Sequence, residues 1–356
     1  WSAGRGRDED EDTHSTLTDE WPTVTINAAH PYRKGFLMTT ARAQQISLAD
    51  TPYYHLMSRC VRRSYLCGTD ELTGQCYQHR RAWIEDRIRL LATVFSIDIC
   101  SYAIMSNHYH IVVKIDAATS ENWTFDEVIQ RWLCIHKGPF LIQKYQKGDA
   151  MGAAEMNVLT QIIDDWRLRL ASVSEFMQQL NQVIARQANI EEHCTGRFWE
   201  GRFKSQPLLT EEALLTAMVY VDLNPIRAKM ADTPEQSKHT SIKERIKPSF
   251  SLARALEQNP DFNPQYIQRF AVKPLAALED NVKQHNQNGV FLGHKDYLTL
   301  VDTTGRIQRQ DKRGFIPDTI FPILKRLAID ADEWIINTQK FEELFYKKFY
   351  YRRKTA

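Results

Sequence analysis

The chain lacks any apolar run of 18 residues, so the sequence predicts no membrane-spanning helix. It also lacks a leader in which basic, apolar and small residues follow one another, which is the pattern of secreted proteins. Its six cysteines form no C-x-x-C pair, so neither a zinc knuckle nor a redox dithiol motif is indicated. These three absences favour a cytoplasmic protein with reduced thiols.

The composition is that of an ordinary globular protein. Of 356 residues, 43% are hydrophobic and 25% are charged, which suits two or three domains. Residues 1–37 hold seven acids and four bases without an apolar period. That segment is expected to be a disordered acidic leader outside the fold, with Met38 as a natural start.

Hydrophobic periodicity predicts an α+β fold. The expected strands are 51–63, 97–105, 108–115 and 196–209, and the expected helices between and after them are 79–95 and 210–230. Pro225 is expected to end or kink the last of these helices.

The helical patterns divide the chain further. Residues 117–170 are expected to be a helical insertion, with capping boxes at Thr124/Glu127 and, just after it, at Ser172/Glu175. The domain around it would comprise residues 38–116 and 171–232. After a polar linker, residues 248–356 are expected to form a separate helical accessory domain.

The segment "MSNHYHIVVKI" (105–115) places two histidines in an otherwise apolar strand. Because side chains alternate along a strand, His108 and His110 point to one face and Tyr109 to the other. Two imidazoles on one face can bind one metal ion, but a catalytic site needs a third ligand and open positions. The alternative is that these are two half-exposed histidines without a ligand.

Tyr220 and Asn224 lie four residues apart in the predicted helix, so they share a helical face. A phenol is mostly protonated at neutral pH and becomes an effective nucleophile toward a phosphodiester only when a cation polarises the phosphate. The alternative is an ordinary aromatic on the helix surface and an asparagine that caps the helix before Pro225.

Four motifs together resemble one family. "YYHLMSRCVRRSYLC", "MSNHYHIVV", "GRFWEGRFKSQPL" and "YVDLNPIRA" occur in this order between about residues 52 and 230, interrupted by the insertion. They are similar to motifs of the REP-associated tyrosine transposases, a branch of the HUH single-tyrosine transposases. Two departures are the bulky Tyr109 between the histidines and the insertion itself.

The resemblance implies an antiparallel sheet with packed helices, in the ferredoxin-like manner of HUH proteins. His108 and His110 would bind Mg²⁺ or Mn²⁺, and Asn224 would be the third, polar ligand. Tyr220 would attack single-stranded DNA and leave a 5′-phosphotyrosine and a 3′-OH, without ATP. The implied partners are single-stranded DNA and REP-like DNA hairpins, and the implied location is the cytoplasm, in association with the nucleoid.

Basic residues flank the implied site and are expected to contact phosphates. They are Arg59, Arg62, Arg63, Arg202, Lys204, Arg227 and Lys229. Aromatic residues among them could stack on unpaired bases. They are Tyr65, Phe198, Trp199 and Phe203. The alternative for both sets is ordinary surface charge and core aromatics.

Two other functions remain open from the sequence. One is a DNA-hairpin-binding protein that is derived from a transposase and has lost catalysis. The other is a structural zinc protein that uses His108 and His110 with His193 or Cys194. The oligomeric state, monomer or homodimer, is also open.

Overall fold

A computed structural model describes much of the chain after the acidic leader. The described residues are 46–61, 66–70, 74–279, 289–290, 292–310 and 312–326. The leader 1–37 therefore lies outside them, as do the last 30 residues of the expected accessory domain.

A four-stranded antiparallel sheet forms the centre of the fold. Its strands are β1 (Tyr53–Arg59), β2 (Ile97–Ile104), β3 (His108–Ile115) and β4 (Lys204–Pro207), in the spatial order β2-β3-β1-β4. With the helices packed on it, the sheet confirms the predicted α+β class. The expected strand at 196–209 is shorter than predicted, because only its last residues pair with β1.

Helices fill most of the remaining described residues. They are α1 (Arg80–Val94), α2 (Ala117–Glu121), α3 (Phe125–Leu133), α4 (Phe140–Gln146), α5 (Ala153–Leu170), α6 (Val173–Glu191), α7 (Glu211–Arg227), α8 (Ser241–Ile246), α9 (Leu252–Gln258), α10 (Pro264–Ile267), α11 (His294–Arg306) and α12 (Ile323–Arg326). No described helix is both long enough and apolar enough to cross a membrane.

Residues 117–170 are largely helical, as predicted, and the expected caps at Thr124 and Ser172 are formed. Thr124 accepts a hydrogen bond from the Glu127 amide at the start of α3, and Ser172 does the same for Glu175 at the start of α6. Pro225 lies inside α7, which continues to Arg227 rather than ending at the proline.

The two faces of the sheet belong to two different apolar clusters. Tyr109 and Ile111 of β3 pack with α1 and α6 on one face. Val112 of the same strand packs on the other face with residues of α7 and α11. Because both faces are covered, β2 and β3 are buried along their whole length, which explains their nearly continuous apolar sequence.

Helix α7 is held in place by a buried carboxylate. Asp222, which is fully buried, accepts hydrogen bonds from the Ser241 hydroxyl, the Ile242 amide (3.0 Å) and the Tyr297 hydroxyl. Ser241 also bonds the backbone of Tyr102 in β2. The carboxylate therefore connects α7 to α8, to α11 and, through Ser241, to the sheet.

Burial raises the pKa of the Asp222 carboxyl from 3.8 to about 6, although the hydrogen bonds from Ser241 and Tyr297 act in the opposite direction. Between these two values the folded protein binds a proton that the unfolded chain does not bind. The associated stability is therefore fully present below about pH 4 and is lost as the pH rises through 6.

We expect the substitution Asp222→Asn, which cannot ionise, to remove this pH dependence. The free energy of unfolding of the wild type, relative to the variant, should fall by on the order of 1–3 kcal/mol between pH 4 and pH 7. Urea unfolding of both proteins across that range measures it. Parallel pH profiles would show that Asp222 has an ordinary pKa in the folded protein.

Candidate active site

The two histidines of β3 lie on the face that α7 covers. The ring centroids of His108 and His110 are 4.8 Å apart with nearly perpendicular planes, and both side chains are buried. Tyr109 points the other way and donates its hydroxyl hydrogen to Asn181 of α6. The structure thus separates the strand's tyrosine from its histidines, as alternation predicts.

Tyr220 of α7 lies next to this pair. Its ring centroid is 5.6 Å from that of His110, and the two rings meet edge to face at 80°. The side chain is half-buried, so the phenol is anchored at the edge of the core. The predicted nucleophile and one of the predicted ligands are therefore brought together.

Helix α7 runs antiparallel to β3. Leu214, in its first turn, lines a cavity of about 210 Å³ with Tyr53, and Tyr53 pairs with the last residues of β3. Past the end of the helix, the Met230 sulfur is 3.9 Å from the hydroxyl of Ser106, in the turn before β3. Later turns of α7 therefore lie progressively closer to the start of β3.

The direction of α7 relative to β3 determines which residue of β3 would lie beside Asn224. It lies about 6 Å beyond Tyr220 along the helix. His108 lies about 7 Å from His110 along the strand, in the same direction. A helix aligned with the strand would therefore place Asn224 at the level of His108. Its Nδ2 atom is buried and has no hydrogen-bond partner among the described residues.

A third histidine, which sequence reasoning missed, completes the cluster. The Nε2 atom of His55 in β1 is 3.0 Å from the Nδ1 atom of His110, and the two rings are stacked at 5.1 Å. The His55 ring also meets the edge of Tyr220 at 6.3 Å. The only sequence signal was a histidine within a predicted strand, which does not reveal the neighbouring strand.

His55 and His110 are neutral at physiological pH. Burial lowers the pKa of His55 to about 4, and burial, followed by the proximity of the titratable His108 and His55 rings, lowers the pKa of His110 well below its usual range. A neutral imidazole has one nitrogen lone pair, which is what a metal ion or a hydrogen-bond donor requires.

The chemical types of the donors suit a divalent cation with nitrogen and oxygen ligands. The Nδ1 atom of His108 faces the side-chain oxygen of Asn107, so it carries the hydrogen and leaves a lone pair on Nε2. With His110 and the Asn224 amide, the site offers two imidazoles and one neutral oxygen. Such a set of ligands fills three coordination positions of the ion and leaves the others open.

The structure gives no support to His193 or Cys194 as the third ligand of a structural zinc site. His193 is exposed at the end of α6, and the Cys194 thiol bonds the side chain of Asn189. Across the described ranges, no group of three or more histidine, cysteine, aspartate or glutamate side chains could bind a metal ion.

The expected phosphate-binding residues differ in their surroundings. Arg59 is half-buried and pairs with His108 across the sheet. The side chains of Arg202, Lys204 and Lys229 are exposed. Arg62 and Arg63 lie outside the described residues.

Arg227 has a structural partner. Its guanidinium donates hydrogen bonds to the backbone carbonyls of Thr304, Ile307 and Gly314. Gly314 approaches α7 so closely that a Cβ atom there would meet the Ile226 carbonyl oxygen. Arg227 therefore ties the end of α7 to the segment that follows α11.

The stacking expectation is wrong for three of the four aromatic residues. Phe198, Trp199 and Phe203 are buried in the cluster beneath the sheet. The Trp199 ring meets the edge of Tyr109, and its indole N–H donates to the Asn181 carbonyl. These side chains have no exposed face for a base. Tyr65 lies outside the described residues.

Comparisons with known proteins found one weak likeness. No family model and no curated protein matches the chain. A solved structure described as a REP-associated tyrosine transposase bound to a REP hairpin aligns with 71% of this chain and 96% of its own. The identity is 10% and the TM-score is 0.32, so no functional argument rests on the likeness.

Arg227 and Lys204 should respond differently to substitution. We expect Arg227→Gln to lower the free energy of unfolding by about 1–3 kcal/mol, because three carbonyls lose a charged donor. Lys204→Gln should leave stability unchanged and reduce the salt slope of single-stranded DNA binding by about one unit. Urea unfolding and fluorescence anisotropy across a salt series measure the two effects. The interpretation fails for Arg227 if its variant is as stable as the wild type.

Proposed function

We propose that the protein is a metal-dependent endonuclease and strand transferase that acts on single-stranded DNA beside hairpins. The observation that carries the proposal is the contact of the Tyr220 ring with the His110 ring, with Asn224 one turn further along α7. The four motifs of the sequence support the same reading. The site of action would be the cytoplasm, in association with the nucleoid.

His108, His110 and Asn224 would hold a Mg²⁺ or Mn²⁺ ion. When bound, such an ion withdraws electron density from the oxygens of the scissile phosphate. The neutral state of the buried His110 supports this role, because a protonated imidazole cannot be a ligand. The Asn224 oxygen adds no charge, so the site keeps the cation's full attraction for a phosphate.

Tyr220 would supply the nucleophile. Its hydroxyl oxygen forms a bond to phosphorus while the bond from phosphorus to the 3′-oxygen breaks. The phenol loses its proton, and the departing 3′-oxygen gains one from the solvent. The products are a 5′-phosphotyrosine and a 3′-OH. One phosphoester replaces another, so the step needs no ATP, and a second DNA end can reverse it.

The surroundings of Tyr220 suit such a step. The ring is wedged against the His55 and His110 rings, which limits its rotation and reduces the entropy lost on reaching the phosphate. Arg59 lies beside His108 in the sheet and is one of the expected contacts for the DNA backbone. The exposed Arg202 and Lys204 add basic charge just before and at the start of the edge strand β4.

Tyr220→Phe removes the reacting oxygen and keeps the ring that packs on His110. We expect nicking of a hairpin-flanked single strand to fall below detection, while DNA affinity stays within about threefold of the wild type. Denaturing gels and anisotropy measure the two quantities. Tyr109→Phe, which changes the tyrosine on the opposite face, is the matched control and should still nick. A Tyr220→Phe protein that nicks normally would refute the proposed nucleophile.

Removal of the metal or of its ligands should also abolish or reduce nicking. Chelation by EDTA should abolish nicking, and added Mn²⁺ or Mg²⁺ should restore it. His108→Ala and His110→Ala should also abolish it, whereas Asn224→Ala should reduce it less, because water can replace a neutral ligand. His79→Gln changes an exposed histidine that pairs with Glu191 and serves as the control. Nicking that persists in EDTA would contradict the metal dependence.

A further inference from the structure

His55 is the one member of the histidine cluster that is neither a proposed ligand nor a reacting group. Its side chain is 3% exposed, and its Nε2 atom faces the Nδ1 atom of His110 at 3.0 Å. The two residues belong to adjacent strands, but they are not direct cross-strand partners, since His55 pairs with Val112 and His110 with Met57. The contact is therefore a diagonal one, made by side chains that lean toward each other.

A single proton lies between the two rings. Either His110 donates from Nδ1 to the Nε2 lone pair of His55, or His55 donates from Nε2 to the Nδ1 lone pair of His110. Only the first arrangement leaves a lone pair on Nε2 of His110. In the second, Nε2 carries a hydrogen and cannot bind a cation.

The hydrogen bond of His108 indicates which of these two arrangements of His110 would suit a shared metal ion. The Nδ1 atom of His108 faces the side-chain oxygen of Asn107, which can only accept a hydrogen bond. His108 therefore has its lone pair on Nε2. If His55 is the acceptor for His110, both histidines of β3 present the same ring nitrogen, and each is oriented by a hydrogen bond on the opposite side of its ring.

We infer that His55 is a positioning residue that accepts the Nδ1 hydrogen of His110 and so directs the Nε2 lone pair of His110 toward the metal position. The inference rests on the proposed function and adds to it a residue from a strand that carries none of the predicted ligands. Neutral histidine suits this task, because it can accept a hydrogen bond without bringing a negative charge close to the ion.

The contacts of His55 with Tyr220 give it a second effect. The His55 ring stacks on His110 at 26° and meets the edge of the Tyr220 ring. Loss of the imidazole would leave the buried Nδ1 hydrogen of His110 without an acceptor and would remove part of the surface on which Tyr220 rests. Both changes would loosen the geometry between ligand and nucleophile.

The first test reads the proton directly and needs neither metal nor DNA. In the full-length, metal-free protein labelled with ¹⁵N, two-bond ¹H–¹⁵N spectra distinguish a protonated Nδ1 from a protonated Nε2. The His110 signals are assigned by their loss in His110→Gln. We expect His110 to carry its hydrogen on Nδ1 and His55 to have a bare Nε2. A hydrogen on Nε2 of His110 would overturn the inference.

The second test uses two substitutions of His55. Phenylalanine keeps a flat ring but cannot accept a hydrogen bond, whereas the amide oxygen of glutamine can occupy the position of Nε2. Titration with Mn²⁺ alone, followed by electron paramagnetic resonance, should show roughly ten- to hundredfold weaker binding for His55→Phe. His55→Gln should bind within about threefold of the wild type. Met57→Leu, on the same face of β1, is the packing control and should bind normally.

The outcomes separate this inference from the proposed function. If the wild type binds Mn²⁺ through His108 and His110 and His55→Phe binds equally well, the positioning role is wrong and the proposed function stands. If His108→Ala and His110→Ala do not weaken Mn²⁺ binding, the proposed metal site is wrong. Should His55→Phe fail to fold, the tautomer of His110 in His55→Gln decides the matter, with a hydrogen on Nε2 counting against the inference.

Discussion

The packing of α7 across the β2–β3 face of the sheet is the contact on which the candidate site depends. The sheet supplies the histidines and the helix supplies Tyr220 and Asn224, so neither element carries a complete site. Asp222 holds the helix in this position through bonds to two other helices. A small shift of α7 would separate the Tyr220 phenol from the His110 ring.

Burial also sets the chemistry of the cluster. Imidazoles that are withdrawn from water stay neutral, and neutral rings can exchange hydrogen bonds with one another and present lone pairs to a cation. Asp222, only two residues from Tyr220, shows the same effect on a carboxyl, since burial favours its protonated form.

Local patterns predicted the parts of the fold that depend on neighbouring residues. Strand alternation placed His108 and His110 on one face, and helical spacing placed Tyr220 and Asn224 on one side of α7. The caps at Thr124 and Ser172 were visible for the same reason, because a cap and its helix are adjacent in the chain.

The features that sequence reasoning missed all depend on residues distant in the chain. His55 meets His110 only because β1 lies beside β3, and nothing in either segment states that order. Arg227 was expected to contact phosphates, because the carbonyls that it binds lie about 80 positions later in the chain and its own segment gives no sign of them. Phe198 and Trp199 sit among basic residues in the sequence, but the fold turns their rings into the core.

A covalent bond between Tyr220 and DNA is the expected product of the first step, and its position in the protein can be located. The wild-type protein, Mn²⁺ and a single strand with a hairpin, labelled on the 3′ side of the scissile phosphate, should give a covalent complex. After digestion, mass spectrometry should find the nucleotide mass on the peptide that contains Tyr220. An adduct on Tyr109, or cleavage that leaves a 5′-phosphate with no protein attached, would contradict the account.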